Sequence, residues 1–197
     1  MPSGRLVETW LRLSFRPALE ELRIAQIRAL VETAGAFLEV RGELVLRQRR
    51  RLSDHANHPD PMLELDGAAF RRLVGEGPAT EPWEEVEQLS LNRDHVVVII
   101  PTGEDNPGGN PQLVVQGRPV RVKLLCRSLE VTGFVNLPMQ LTVPAFLHET
   151  RGRFLAITEA RVMAGSNLAD FSRVQPFCLV NREHVVACIE TRGGRES

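Results

Sequence analysis

Leu91-Asn92-Arg93-Asp94-His95-Val96-Val97 returns 89 positions later as Val180-Asn181-Arg182-Glu183-His184-Val185-Val186, and this pair of segments decides how the fold is read. A second anchor lies upstream of each copy. Leu38-Glu39-Val40-Arg41-Gly42 corresponds to Leu129-Glu130-Val131-Thr132-Gly133, followed four residues on by Leu46 and Leu137. Between the anchors, Leu52-Ser53 matches Leu141-Thr142, and Met62-Leu63-Glu64-Leu65 matches Phe154-Leu155-Ala156-Ile157. Four matches in the same order, at nearly the same offset, point to one structural unit used twice. Solenoid repeats have shorter periods and need three or more copies, so units of roughly 80 to 90 residues read as two small domains or two halves of one body.

Composition sets the broad class. The chain has 197 residues, 43% of them hydrophobic and 25% charged, enough to bury one large core or two modest ones. No apolar run reaches the roughly 18 residues of a membrane span, and residues 1–16 lack the apolar stretch and small-residue cleavage site of a leader, so a cytoplasmic protein without a membrane partner is expected. Cys126, Cys178 and Cys188 fall in apolar runs without Cys-x-x-Cys spacing, which fits buried reduced thiols. The net charge of −1 argues against a protein that coats nucleic acid. Residues 1–102 carry 13 Arg against 16 acids and the remainder 11 Lys and Arg against 9, so neither part is strongly basic.

The hydrophobic period is two in both copies. Val120-Arg121-Val122-Lys123-Leu124 alternates apolar with charged, and alternation resumes through Leu129, Val131, Gly133 and Val135, with the turn at Cys126-Arg127. Pro138 and Pro144 punctuate a loop, Phe154-Leu155-Ala156-Ile157 begins a third strand, Arg161-Val162-Met163 continues it or forms a fourth, and strands near Phe177 and after His184 close the series. In the first copy Leu30-Val31-Glu32-Thr33 and 37–46 form the hairpin and 96–100 the last strand. Pro17 followed by Glu20 and Glu21 marks a short N-terminal helix. The expected organisation is therefore mainly β: two tandem small five-stranded barrels from an internal duplication, over 1–102 and 119–197, joined by a polar linker at 103–118 containing Thr-Gly-Glu-Asp-Asn-Pro-Gly-Gly.

This strand order, with a bent second strand bearing Gly133 and a closing turn at Asn181-Arg182, resembles the Sm-like group of SH3-like small barrels, over about 70 residues of each copy. It is also similar to uncharacterised bacterial proteins of duplicated-barrel type. The resemblance implies RNA binding through an Asp-x-x-x-Asn element and an Arg-Gly closing turn, and a ring of subunits. Asp54-His55-Ala56-Asn57 is one residue shorter than the first element, and Asn92-Arg93 and Asn181-Arg182 stand where the second would have Arg-Gly. A tandem can, moreover, pair its own edge strands internally.

Candidate sites follow from features that the copies do not share. Arg47, Arg49, Arg50 and Arg51 place four guanidinium groups within five residues of a loop, an anion-binding surface that Asp54, Asn57, Arg93 and Arg182 would extend into an RNA or nucleotide site. Trp83, Glu84 and Glu85 mark an acidic, aromatic stretch suited to a protein partner. No catalytic residue is assigned, because neither a nucleophile motif nor paired carboxylates on a helix face occur. His55, His58, Asp54 and Asp60 lie close in sequence, but His-x-x-His lacks two further ligands on a rigid frame, so neither metal nor cofactor is expected. The expected function is a non-enzymatic protein-protein interaction or assembly module, its partner another protein or a second copy joined through barrel edge strands, with RNA binding as the alternative.

Overall fold

The computed structural model describes residues 23–34, 36–46, 51–73, 81–103, 117–127, 129–163 and 173–191. The N-terminal helix expected around Pro17, the arginines 47, 49 and 50, and most of the linker lie outside them. The described residues form ten strands and two short helices: β1 (Arg23–Thr33), β2 (Ala36–Leu46), α1 (Leu52–Ala56), β3 (Met62–Leu73), β4 (Glu84–Asn92), β5 (Val96–Pro101), β6 (Gly117–Cys126), β7 (Glu130–Pro138), α2 (Val143–Glu149), β8 (Phe154–Met163), β9 (Gln175–Asn181) and β10 (Val185–Glu190). The fold is mainly β. The structure corrects the sequence reading at the helices and the linker: α1 and α2 are helices where loops were expected, and β6 begins at Gly117, inside the span assigned to the linker. Of the two readings of Arg161-Val162-Met163, the structure has it continue β8.

Local chemistry accounts for α2. Thr142 stands at its N-cap in extended conformation, its hydroxyl accepts the Ala145 N–H at 3.4 Å, and Pro144 occupies the first turn, where a missing N–H costs nothing. The proline read as loop punctuation is thus a helix starter. In α1, Asp54 accepts the Arg51 N–H at 3.3 Å, and Leu52 and Ala56 bury one side of the single turn.

All ten strands belong to one antiparallel sheet in the order β10-β6-β7-β8-β9-β5-β1-β2-β3-β4, and the sheet is not closed. Where the sequence reading expected two tandem barrels, the described strands form one continuous open sheet. Strands β1 to β5 take the order 5-1-2-3-4, and β6 to β10 take the same order among themselves. The halves meet where β5 pairs with β9, through Val98 opposite Val180 and Ile99 opposite Leu179.

β5 explains why the halves adhere. Its run Val96-Val97-Val98-Ile99-Ile100 is buried at every position, which an alternating strand with one wet face would not be. Val96 and Ile99 belong to the core of the first half, together with Leu44, Leu63 and Leu65. Val97, Val98 and Ile100 belong to the core of the second half, with Val122, Leu124 and Val131. Phe154 and Leu179 reach back from the second half into the first core. One strand is thus a wall shared by two cores.

The bends sit at matched places. The β2–β3 ladder shifts register beside Gly42, and the β7–β8 ladder shifts beside Gly133. A Cβ on Gly133 would lie 2.5 Å from the Ile157 side chain and 2.7 Å from the Thr158 carbonyl oxygen, so only glycine lets β7 and β8 approach this closely. The partner strand kinks through a left-handed residue, Gly67 (φ +52°) in β3 and Glu159 (φ +48°) in β8. An exposed glutamate there carries a strain that glycine does not. Glu159→Gly should therefore stabilise the protein by up to about 1 kcal/mol, while Gly133→Ala should cost about 2–4 kcal/mol, both read from urea unfolding. Destabilisation by Glu159→Gly would contradict the strain at that bend.

Candidate functional site

The residues expected to bind RNA are placed as follows. Arg93 is 3% exposed, and its Nη1 donates to the backbone carbonyls of Asp60 and Met62, with Nη2 reaching the His55 carbonyl at 3.5 Å. Burial pulls its pKa down, and its Nε finds no partner among the described residues. Arg182 does the same work in the second half, donating to the Thr150 carbonyl at the end of α2 and reaching that of Leu147 at 3.5 Å. Arg182 thus satisfies carbonyls at and just beyond the C-terminus of α2, where positive charge is favoured, while Arg93 satisfies carbonyls of the segment that leads from α1 into β3. Asp54 is exposed on α1, Arg51 is half-buried before it, and Asn57 follows it. Asn57 is turned inward: its Oδ1 accepts the Phe154 N–H at 2.7 Å and its Nδ2 donates to the Phe154 carbonyl at 3.1 Å. Of the described candidates, Arg51, Asp54, Asn57 and Arg93 lie on or against α1 and Arg182 lies beside α2, with Asn57 and Arg93 turning their polar groups into the fold.

Asn57 instead helps to lock the two halves together. Asn181 adds a second lock, its fully buried Nδ2 donating to the carbonyls of Arg93 at 3.1 Å and Val96 at 2.9 Å. Its Oδ1 accepts the Glu183 N–H at 3.0 Å, the local turn that asparagine favours. His184 spans the same joint, with Nδ1 2.9 Å from Glu32 Oε2 and Nε2 2.7 Å from the Asp94 carbonyl. Arg153 pairs with Asp94 across it. Only the repeated Asn-Arg-acid-His motif was visible in the sequence, and nothing there distinguished the second copy, which faces the first half, from the first.

In the first copy the same motif lacks a neighbour. Asn92 makes the same turn, accepting the Asp94 N–H at 2.9 Å, yet its Nδ2 has no hydrogen-bond partner among the described residues, and His95 is exposed. Among the described residues, β4, which carries Asn92, is one end strand of the sheet and β10 is the other, each with one edge unpaired. Val186 on β10 is 70% exposed and Ile189 46% exposed, whereas Val97 and Ile100 at the matching places of β5 are each 2% exposed. These two open strands are the candidate site.

Trp83 sits just before β4 with two guanidinium groups over its ring: Arg41 lies 4.4 Å and Arg71 4.6 Å from its centroid. Arg71 also clamps the fully buried carboxylate of Glu39 through Nε (2.7 Å) and Nη2 (2.6 Å), and Arg28 holds the other oxygen. In the second half a single Lys123–Glu130 pair at 2.7 Å replaces this clamp. The sequence offered no sign of the Glu39 clamp, because its members come from three strands. Trp83 is thereby held against the sheet, while Glu84 and Glu85 remain exposed on β4, the latter 3.8 Å from Arg41.

A cavity of about 580 Å³ opens beside the joint, lined in part by Glu32, Asp94, His95, Arg127, Glu183 and His184. Both ring nitrogens of His184 are engaged, and the Thr33 hydroxyl at its edge donates to the Ala36 carbonyl at 2.9 Å. No paired nucleophile and base line it among the described residues. Nor do three His, Cys, Asp or Glu side chains converge there on a possible metal, and none of the described helices is long and apolar enough to cross a membrane. Burial raises the Cys126 thiol to about 11, Glu32 adding to the effect, and pushes the Cys178 and Cys188 thiols up as well. No family model matches the chain, and no curated protein or solved structure is significantly similar to it.

Two outcomes are expected. Asn57→Ala and Asn181→Ala should each cost about 1–3 kcal/mol in urea unfolding, since each strands buried backbone groups, while Asn92→Ala should cost under about 1 kcal/mol. Equal costs for Asn92 and Asn181 would mean that the joint is not what distinguishes them. A thiol held neutral by the fold keeps its proton where the unfolded chain releases it. Stability should therefore fall as pH rises from 9.0 toward about 11, and fall less steeply in Cys126→Val, as measured by thermal unfolding across that range.

Proposed function

We propose that the chain is a non-enzymatic assembly module built from two Sm-like small barrels, and that it acts by adding a strand of a protein partner to the open edges of its sheet, β4 or β10. The observation that carries this reading is the β5–β9 joint, where the molecule already uses strand addition to hold one five-stranded unit to the next. An open edge presents unpaired N–H and C=O groups, and a partner strand satisfies them while side-chain contacts supply specificity. β10 adds exposed apolar surface at Val186 and Ile189. β4 adds the exposed acids Glu84, Glu85 and Glu87, which discourage indiscriminate pairing. The RNA-binding alternative has less support, because Asn57, Arg93 and Arg182 spend their polar groups inside the fold.

The test compares the wild-type chain with a Val186→Glu/Ile189→Glu variant as baits in nuclease-treated and untreated soluble extracts. Both positions are exposed, so the variant should fold normally. Nuclease-resistant retention of protein by the wild type, lost in the variant, is the expected result. Retention that vanishes with nuclease, or that the variant keeps in full, would remove the edge-strand reading and favour nucleic acid or another surface.

A further inference from the structure

We infer that the face of the first half beside Trp83 is a binding site for a small organic oxyanion, a carboxylate or a phosphate monoester, held by the guanidinium groups of Arg28, Arg41 and Arg71. This face of β1, β2 and β3 is distinct from the unpaired edges of the sheet, and the site does not depend on the edge-strand reading.

Strand geometry places the charges. Side chains two apart on a strand share a face, so Glu39 and Arg41 of β2 lie together, with Arg28 of β1 directly opposite Arg41 and Arg71 of β3 directly opposite Glu39. Three guanidinium groups thus share this face with one carboxylate. Glu39 is fully buried and is held by Arg28 and Arg71. Arg41 is left facing Arg28, and like charges directly opposite on a sheet repel. The acid nearest to it among the described residues, Glu85, is 3.8 Å away. Their side chains are 53% and 83% exposed, so that pair contributes little.

The second half shows what the fold itself requires at this place. Lys123 and Glu130 stand where Arg28 and Glu39 do, and they pair at 2.7 Å. Thr132, opposite Lys123, takes the place of Arg41, and Met163, opposite Glu130, takes that of Arg71. One cation and one anion therefore suffice to support the sheet here. The first half keeps that pair and adds two guanidinium groups and an indole around one cavity.

The cavity measures about 350 Å³ and is lined by Arg28, Glu39, Arg41, Arg71, Trp83 and Thr102, a size that admits a small molecule. Glu85 lines a neighbouring cavity beside Gly67 instead. Trp83 holds both added guanidinium groups over its ring, so they are in place before a ligand arrives. A guanidinium fork presents paired N–H donors that match two oxygens of a carboxylate or a phosphate. The oxyanion would sit between Arg28 and Arg41 and relieve their repulsion, with its organic body against the indole and the exposed Thr102 at the rim.

Trp83 itself reports on the site. The chain has two tryptophans, so Trp10→Phe leaves Trp83 as the single indole. Full-length Trp10→Phe protein is titrated with benzoate, phenyl phosphate and inorganic phosphate at an ionic strength fixed with sodium chloride. Trp83 emission should change saturably below about 10 mM for at least one organic probe, and the tighter of the two identifies the oxyanion. The same probe should raise the melting temperature of the wild type. Arg41→Gln should weaken binding at least about ten-fold, and Arg41→Lys, which keeps the charge but loses the fork, at least about three-fold. The lysine variant decides the matter if the glutamine variant does not fold. Arg161→Gln removes an exposed arginine from β8 and should leave binding unchanged. The site is overturned if neither organic probe saturates, if both Arg41 variants bind as the wild type does, or if Arg161→Gln loses as much as Arg41→Gln.

Discussion

Backbone N–H and C=O groups along a strand edge must be paired or wet, and the molecule is organised around this requirement at β5. One edge of β5 is paired by β1 and the other by β9, and both faces are covered by apolar side chains from different cores. Removing either neighbour would expose a row of amides and a run of five buried valines and isoleucines together. The remaining contacts between the halves depend on this placement. Asn181 reaches the Val96 carbonyl, and His184 the Asp94 carbonyl, only because β9 lies against β5. Asn57 reaches Phe154 because β8 then runs past α1. The side chain of Asn57 supplies one donor and one acceptor to the first residue of β8, as a neighbouring strand would.

The same requirement, left unmet, is what makes the ends of the sheet informative. Ten strands in an open sheet leave two edges, and here the edges are unlike one another. β10 repeats the apolar character of β5 without its cover, and β4 repeats the asparagine turn of β9 without its acceptors. Small open-edged β proteins commonly protect an edge with charge, and β4 does so at its start with Glu84 and Glu85. Its far end, Ser90-Leu91-Asn92, carries no charge.

Much of the strand layout could be read from the chain. The hairpin residues around Thr33 to Phe37, the turn at Cys126-Arg127 and the closing strand from Val96 follow from period-two patterning and turn chemistry, which act over a few residues. The helices were missed for a physical reason: at five and seven residues they are too short to show a 3.6-residue period, and their caps, Arg51 and Thr142, read equally well as loop residues. The arginines misled in a different way. A guanidinium in an Asn-Arg turn looks like a surface cation, and only the fold shows the carbonyls that claim it, those of Asp60 and Met62 for Arg93 and of Thr150 for Arg182.

The sequence by itself determined the strand character and the recurrence of the Asn-Arg-acid-His turn, because alternation and turn preference are local properties of the chain, whereas the demand for glycine at 133 comes from Ile157 and Thr158 on the neighbouring strand. Only the tertiary structure decided which copy of the turn faces a neighbour. Asn92 and Asn181 have similar local sequence, and what separates them is that β5 lies within reach of Asn181, while no described strand lies beside Asn92. That difference arises from pairing between strands about 80 residues apart, such as Val98 with Val180, which no local pattern encodes.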